Sequence, residues 1–301
     1  PPSSMSKMSV GSLDVICITL ESVTGIFAVV GNALVTWAVK LKPALQKTTF
    51  FYFVSLALTD IAMGILVIPL AVMVSLGVII HFYSCLFLCC LMMIFSHASI
   101  PSLLAIAVDR YLRVKLPTRY RAIFMKKRIC VILGICWLVS VLVGLVPMLG
   151  WNQHMGSSSY IECRYLAVMR MDYVVYFSFF TWILLPLLVI TESPPEGGTV
   201  CGKEYRMAKY LAFILVLFAV SWLPLGILNC IFYFCPSCAI PQPLTYPSIL
   251  LPHANSAMNP IVYAFKIQKF KETYTFILRT YILRSASEPA SLDSIRCGGS
   301  F

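Results

Sequence analysis

Four side chains that carry or can take a charge lie inside long apolar runs: Glu21, Asp60, His97 and His253. Asn32, Asn229, Asn255 and Asn259 share that setting, and Asp109-Arg110 closes the inner end of another run. A charge at the centre of a bilayer costs about 2.5–3.5 kcal/mol on insertion scales. Each such residue therefore either holds helices together by hydrogen bonds or belongs to a site. Their chemistry points to recognition rather than turnover. No GxSxG, no second intramembrane Asp and no nucleophile–base pair accompanies them, and no ligand cluster argues for a catalytic metal.

The elements that must position these groups are spans of a membrane. The 301 residues are 59% hydrophobic and 12% charged, with a mean hydropathy of +0.87, against about 25% charged residues in a soluble domain. Seven apolar runs approach the length of about 20 residues that crosses a bilayer: Val15–Val39, Phe50–Leu76, Leu86–Val108, Ile129–Leu149, Tyr173–Ile190, Leu211–Phe234 and Leu244–Phe265. Helices are expected, since a span must satisfy its own backbone in lipid. The fold class read here is an all-α, seven-transmembrane helix bundle with a short amphipathic eighth helix. One receptor domain covers 1–284, followed by a polar, disordered tail over 285–301. Pro1–Ser12 is short, polar and without a basic start, so no cleavable signal peptide is expected there.

The net charge of +11 does not point to nucleic acid. With the N-terminus outside, all of the 23 Lys and Arg except Lys7, Arg164 and Arg170 fall on the inner side. That is the positive-inside pattern, with the tail in the cytoplasm and the basic blocks near anionic lipid. Cys85 and Cys163 both lie on the oxidising side, where a disulfide between them could staple the outer loop to the third span. Cys235 and Cys238 in "CPSC" admit redox, zinc or a disulfide; with no second pair nearby, a local disulfide is favoured. The intramembrane cysteines read as small buried apolar residues. A retinal protein would need a Lys in the seventh span, and a transporter would suggest an internal repeat; neither is present.

The spans also carry motifs: "GNALV" in the first, "SLALTD" in the second, "SLLAIAVDRYLRV" closing the third, Trp137 in the fourth, "SWLP" in the sixth and "NPIVY" in the seventh. Together and in this order they resemble the rhodopsin-like (class A) G-protein-coupled receptors. "FYSCLFLCCLMMIFSHASI", "VGLVPMLGWN", "VMRMDYVVYFSFF", "LPLGILNCIFYF" and "HANSAMNPIVYAFKIQKFKET" narrow the resemblance to the adenosine receptors. Most of the chain is similar to the third subtype, and "CPSC" and "NSAMNPIVYAF" are more like the first.

The resemblance implies a plasma-membrane receptor for adenosine or a related purine nucleoside, coupled to a heterotrimeric G protein of the inhibitory class, and not an enzyme. By it, Asn229 reads the adenine amine and ring nitrogen, and Tyr165 stacks on the purine in place of the usual Phe. Ile249 lines the opposite wall, Trp222 and Leu225 form the floor, and Met93 and Met171 line the pocket. His253 takes the ribose, paired with Glu21 across the first and seventh spans, and Ser96 stands for a sugar-side Thr. Asp60, Ser99, Asn255 and Asn259 match a site for an allosteric sodium ion, the only bound ion implied. Asp109, Arg110, Glu204 and Tyr263 match the switch that releases the inner end of the sixth helix. Plain bundle core is the other reading of Ile249, Leu225 and Trp222. "KIQKFKETYTFILRTYILR" alternates basic and apolar residues like a helix lying on the inner leaflet.

Three features depart from the pattern. Pro252 stands where the family has Ser or Thr beside the His, and so removes a hydroxyl from the sugar side. Pro101 interrupts the third span. "TESPPEGG" (Thr191–Gly198) replaces the inner half expected of the fifth helix, and the family pattern resumes at "GKEYRMAK". A receptor-like protein that does not signal (a decoy, a partner subunit or the product of a decayed or misassembled gene) is the alternative this leaves.

Overall fold

The computed structural model describes residues 11–42, 49–115, 126–153, 159–184, 188, 202–238 and 240–283. Helix α1 spans Ser12–Leu41. Helix α2 is one rod made of Thr49–Ala62, a π-wound turn Met63–Val67 and Ile68–Ser75. Helix α3 covers Phe82–Lys115, α4 Lys126–Gly144, α5 Tyr173–Leu184, α6 Gly202–Phe234, α7 Gln242–Lys266 and α8 Gln268–Ile277. Five of these carry stretches long and apolar enough to cross a membrane, and α5 is a shorter apolar helix. Helix α7 is long but spends its composition on Pro247, Pro252, Pro260, His253, Asn255 and Asn259, which lowers its hydropathy.

Helix α1 shows how lipid inverts the usual pattern. Its buried residues are Glu21, Gly25, Ala28, Asn32, Val35, Ala38 and Val39, spaced by three and four along one face. Val15, Ile16, Leu20, Val23, Ile26, Phe27 and Val30 are exposed on the others. An apolar exterior of this extent marks a membrane surface, and polar groups are drawn inward. Small residues on the inner faces let helices approach closely. A Cβ on Gly64 would lie 2.7 Å from the Gly25 carbonyl oxygen, and one on Gly31 would lie 2.8 Å from Cγ of Pro260. On the outside between α1 and α2 lies a groove of about 560 Å³, lined by Gly25, Val29, Gly64 and Ile68 among others. It shares no residue with the site described below.

Element ends shift from the sequence reading for local reasons. The fourth span, expected to reach Leu149, leaves its helix at Gly144 and turns through the tighter Val146–Leu149 around Pro147. The third and sixth start earlier than expected, at Phe82 and Gly202, because polar ends of a helix need not lie in the hydrocarbon. The π-wound turn in α2 comes just before Pro69, which has no N–H for the carbonyl of Ile65 and whose ring crowds it. Strands β1 (Ile79–His81) and β2 (Tyr160–Glu162) form an antiparallel ribbon that lays the outer loop over the bundle. Gly77 leads into it at φ +64, with the Glu162 carboxylate where a Cβ would stand, so glycine is required there twice over. Helix α8 follows α7 after a break at Ile267 and continues through a π-wound segment, Leu278–Leu283, to lay Tyr281 on Trp37 of α1. Residues 284–301, which include the expected disordered tail, and the junction at 189–201 lie outside the described residues.

Candidate functional site

The outer half of the bundle is tied down covalently. Cys85 at the start of α3 and Cys163 just after β2 form a disulfide across 78 residues, and both are fully buried. The Cys163 N–H donates to the Val78 carbonyl. Two residues on, the turn Tyr165–Val168 brings Tyr165 inward, where its hydroxyl donates to Met93 Sδ at 3.2 Å. Met93, Tyr165 and Met171 pack in one apolar cluster with Trp151 and Phe177. Cys235 and Cys238 form the second disulfide, which closes the turn after α6.

Arg170, which the charge pattern assigns to the outer side, is held by Asp172, which also receives the Trp151 indole N–H and the Tyr173 backbone N–H. This clamp joins the outer end of α4 to the start of α5. Burial by itself would raise the Asp172 carboxyl; the Arg170, Trp151 and Tyr173 hydrogen bonds outweigh it and hold it below the usual carboxylate range. A carboxylate held low in the folded state stabilises above its unfolded pKa of about 4, and that stability fades as pH falls through the lowered value. The purified wild-type chain should therefore lose thermal stability between about pH 5 and pH 3 more steeply than Asp172→Asn. Equal losses in the two proteins would show that the clamp does not contribute.

On the opposite side His253 Nδ1 and Glu21 Oε2 lie 2.7 Å apart, joining α7 to α1, with both residues 8% exposed. Above this pair the Tyr246 hydroxyl donates to Asp14. Pro252 is buried within a helix that runs unbroken past it. Asn229 and Leu225 are half-buried on α6, Ser96 is half-buried on α3, and Ile249 is 36% exposed. Among the described residues no hydrogen bond or ring contact ties these four to Tyr165. Trp222 packs on Phe218, with ring centroids 5.8 Å apart, beside the inner core. The structure thus brings together two parts of the expected pocket, Tyr165–Met93–Met171 and Glu21–His253, and sets the others along the helices between.

Deeper lies a polar cluster. Asn259 Nδ2 donates to Asp60 Oδ2 at 2.7 Å, while Asp60 Oδ1 is buried without a partner. Asn32 Nδ2 donates to the carbonyls of Ala28 and Ser256, and its Oδ1 is likewise unpartnered. Ser99 is turned to the Phe95 carbonyl, and Asn255 is buried. Orphaned carboxylate and amide oxygens are the ligands a small hard cation takes, so these residues fit one. Asn32 was legible as a polar intramembrane residue, but its place here follows from helix packing. The described residues hold no group of three His, Cys, Asp or Glu side chains suited to a transition metal. Tyr263 is buried between Phe53 (4.9 Å, edge-on) and Phe270 (5.5 Å, stacked). The side chains of Asp109, Arg110 and Glu204 lie outside the described residues.

The family described as "7 transmembrane receptor (rhodopsin family)" matches residues 31–193 and 199–263. The chain is 55% identical over 300 residues to "Adenosine receptor A3" of Canis lupus familiaris, covering 92% of this chain and 94% of that protein. It is 53% identical over 306 residues to the proteins of that name from Bos taurus and Ovis aries, covering 94% of this chain and 96% of each. The chain belongs to the adenosine receptor family of rhodopsin-like receptors. It is a multi-pass, all-α membrane protein of a receptor family rather than an enzyme. The family match breaks at 194–198, within the Pro-Pro-Glu-Gly-Gly stretch that departs from the family pattern in sequence.

Proposed function

We propose that the chain binds adenosine or a related purine nucleoside at the outer half of the bundle and couples to a heterotrimeric G protein of the inhibitory class. The observation that carries this reading is the Glu21–His253 contact, a paired acid and imidazole buried within two membrane spans. Such a pair can join two helices in lipid by itself, and a hydroxyl-rich sugar would give it a further partner. The purine would stack on Tyr165 between Met93 and Met171, with Asn229 offering its amide to the base edge. Ile249 forms the facing wall, Leu225 and Trp222 the floor, and Ser96 the sugar side. A sodium ion held by Asp60, Ser99, Asn255 and Asn259 would favour the inactive state. Agonist acts only by its differential affinity for the two states, releasing α6 from the Asp109–Arg110–Glu204 switch so that its inner end moves outward, with Tyr263 rearranging. One receptor domain covers 1–284, with the N-terminus extracellular and 285–301 as a cytoplasmic tail. Helix α8 and the basic inner loops rest on plasma-membrane lipid.

A second reading is favoured by Thr191–Gly198, which no membrane helix would tolerate: a receptor-like protein that binds ligand and does not signal. Radioligand binding to the chain in cell membranes, with and without G protein and guanine nucleotide, separates the two. Nucleotide-sensitive agonist affinity supports coupling, and nucleotide-insensitive binding supports the second reading. Asn229→Ala removes a donor and an acceptor, each about 1–1.5 kcal/mol net, so nucleoside affinity should fall roughly 30- to 150-fold. Unchanged affinity would remove Asn229 from the site.

A further inference from the structure

His97 has no role in the site above, and Pro101 sits inside a helix where proline is costly. They explain each other. A proline at 101 has no N–H for the carbonyl four residues back, and that carbonyl belongs to His97. The Trp182 indole N–H of α5 donates to this freed His97 oxygen at 3.1 Å. The His97 side chain, 1% exposed, reaches the same helix: its Nε2 lies 2.7 Å from Ser178 Oγ, and its ring lies 5.6 Å from that of Trp182. Both polar contacts described between α3 and α5 therefore land on one residue. Its Nδ1 is buried and unpartnered. An unpaired acceptor is the cheaper of the two possible orphans, which favours Nε2–H donating to Ser178.

The molecule uses the same device once more. Pro260 in α7 frees the Ser256 carbonyl, and Asn32 of α1 takes it at 2.9 Å. A proline-freed carbonyl in lipid has no water to turn to, so a donor from the neighbouring helix binds it and locks the two helices in register. We infer that Pro101 and His97 form a clasp that pins α5 to α3, His97 being the positioning residue for the ligand site. The consequence reaches the pocket through packing. Seated by the clasp, α5 lays the Phe179 ring on Gly226 so closely that a Cβ there would lie 2.0 Å from it. Asn229 is three residues further along the same face of α6.

The clasp is tested first without ligand, by hydrogen exchange of the 173–184 amides in the purified chain. Trp182→Phe and Ser178→Ala should each speed exchange roughly three- to tenfold, the worth of one net hydrogen bond. The decisive arm is Pro101→Ala, a substitution the helix welcomes, because it restores an N–H that reclaims the His97 carbonyl. In that background Trp182→Phe should change exchange less than about twofold. His97→Phe and Ser178→Ala should be non-additive together, since both remove the same bond. A Trp182→Phe effect of the same size with and without Pro101, or additive His97 and Ser178 effects, would overturn the clasp. The ligand arm rests on the nucleoside reading: adenosine should dissociate faster from Ser178→Ala by a similar factor. A wild-type chain that binds no adenosine counts against that reading alone, and the exchange measurements still decide the clasp.

Discussion

Glu21→Leu should destabilise the bundle by about 3–5 kcal/mol, read as a lower thermal unfolding midpoint in detergent micelles. The leucine itself suits a membrane helix, so the loss does not come from the new residue. It comes from His253, 8% exposed on α7, left facing an apolar side chain where it had a carboxylate at 2.7 Å. Removing one partner of a buried polar pair exacts the full desolvation of the other, whereas removing both does not. The double variant Glu21→Leu/His253→Leu should therefore regain most of the lost stability while failing to bind nucleoside, because the proposed sugar-binding imidazole is gone. That split between stability and binding separates a functional pair from a purely structural one. Full ligand affinity in the double variant would return the pair to the role of helix glue.

Loss of the Cys85–Cys163 bridge should be comparable in size. Closing a loop of 78 residues corresponds, in the chain-entropy account, to roughly 4–5 kcal/mol. The Cys235–Cys238 loop, with a separation of 3, corresponds to only about 1.5 kcal/mol on the same scale. Paired serine substitutions at each bridge should reproduce this order in unfolding midpoint. The first bridge also bears on the proposed pocket. Cys163 anchors the strand that delivers Tyr165 to Met93, so nucleoside affinity should fall with Cys85→Ser/Cys163→Ser and stay near wild type with Cys235→Ser/Cys238→Ser. Equal effects at the two bridges would show that the outer loop is held by its β-ribbon and packing instead.

Much of this was legible in the sequence because a bilayer leaves few options. A span must be a helix, a polar residue within it faces inward, and most Lys and Arg gather on the inner side. Glu21, Asp60, Asn32, His97 and His253 were therefore recognisable as inward-facing groups before any coordinates. Which of them meet was a different matter. His97 looked like one more intramembrane polar residue and Pro101 like an oddity; that Trp182 and Ser178, 85 and 81 residues away, converge on His97 follows from how α3 and α5 pack. Asp172 drew no attention in sequence, since its partner Trp151 lies across a loop. The broken end of the fourth span at Gly144 was hidden in an apolar run, because hydropathy does not register a change in winding.

Sequence alone determined that this chain is a bundle of membrane helices with an inward polar core, since hydrophobic length and charge placement are local properties that lipid reads directly. Tertiary structure decided the pairings: Glu21 with His253, Asp60 with Asn259, and the carbonyls freed by Pro101 and Pro260 with Trp182 and Asn32. Hydrogen bonds act over about 3 Å, and only the packing of distant helices brings such groups within that reach.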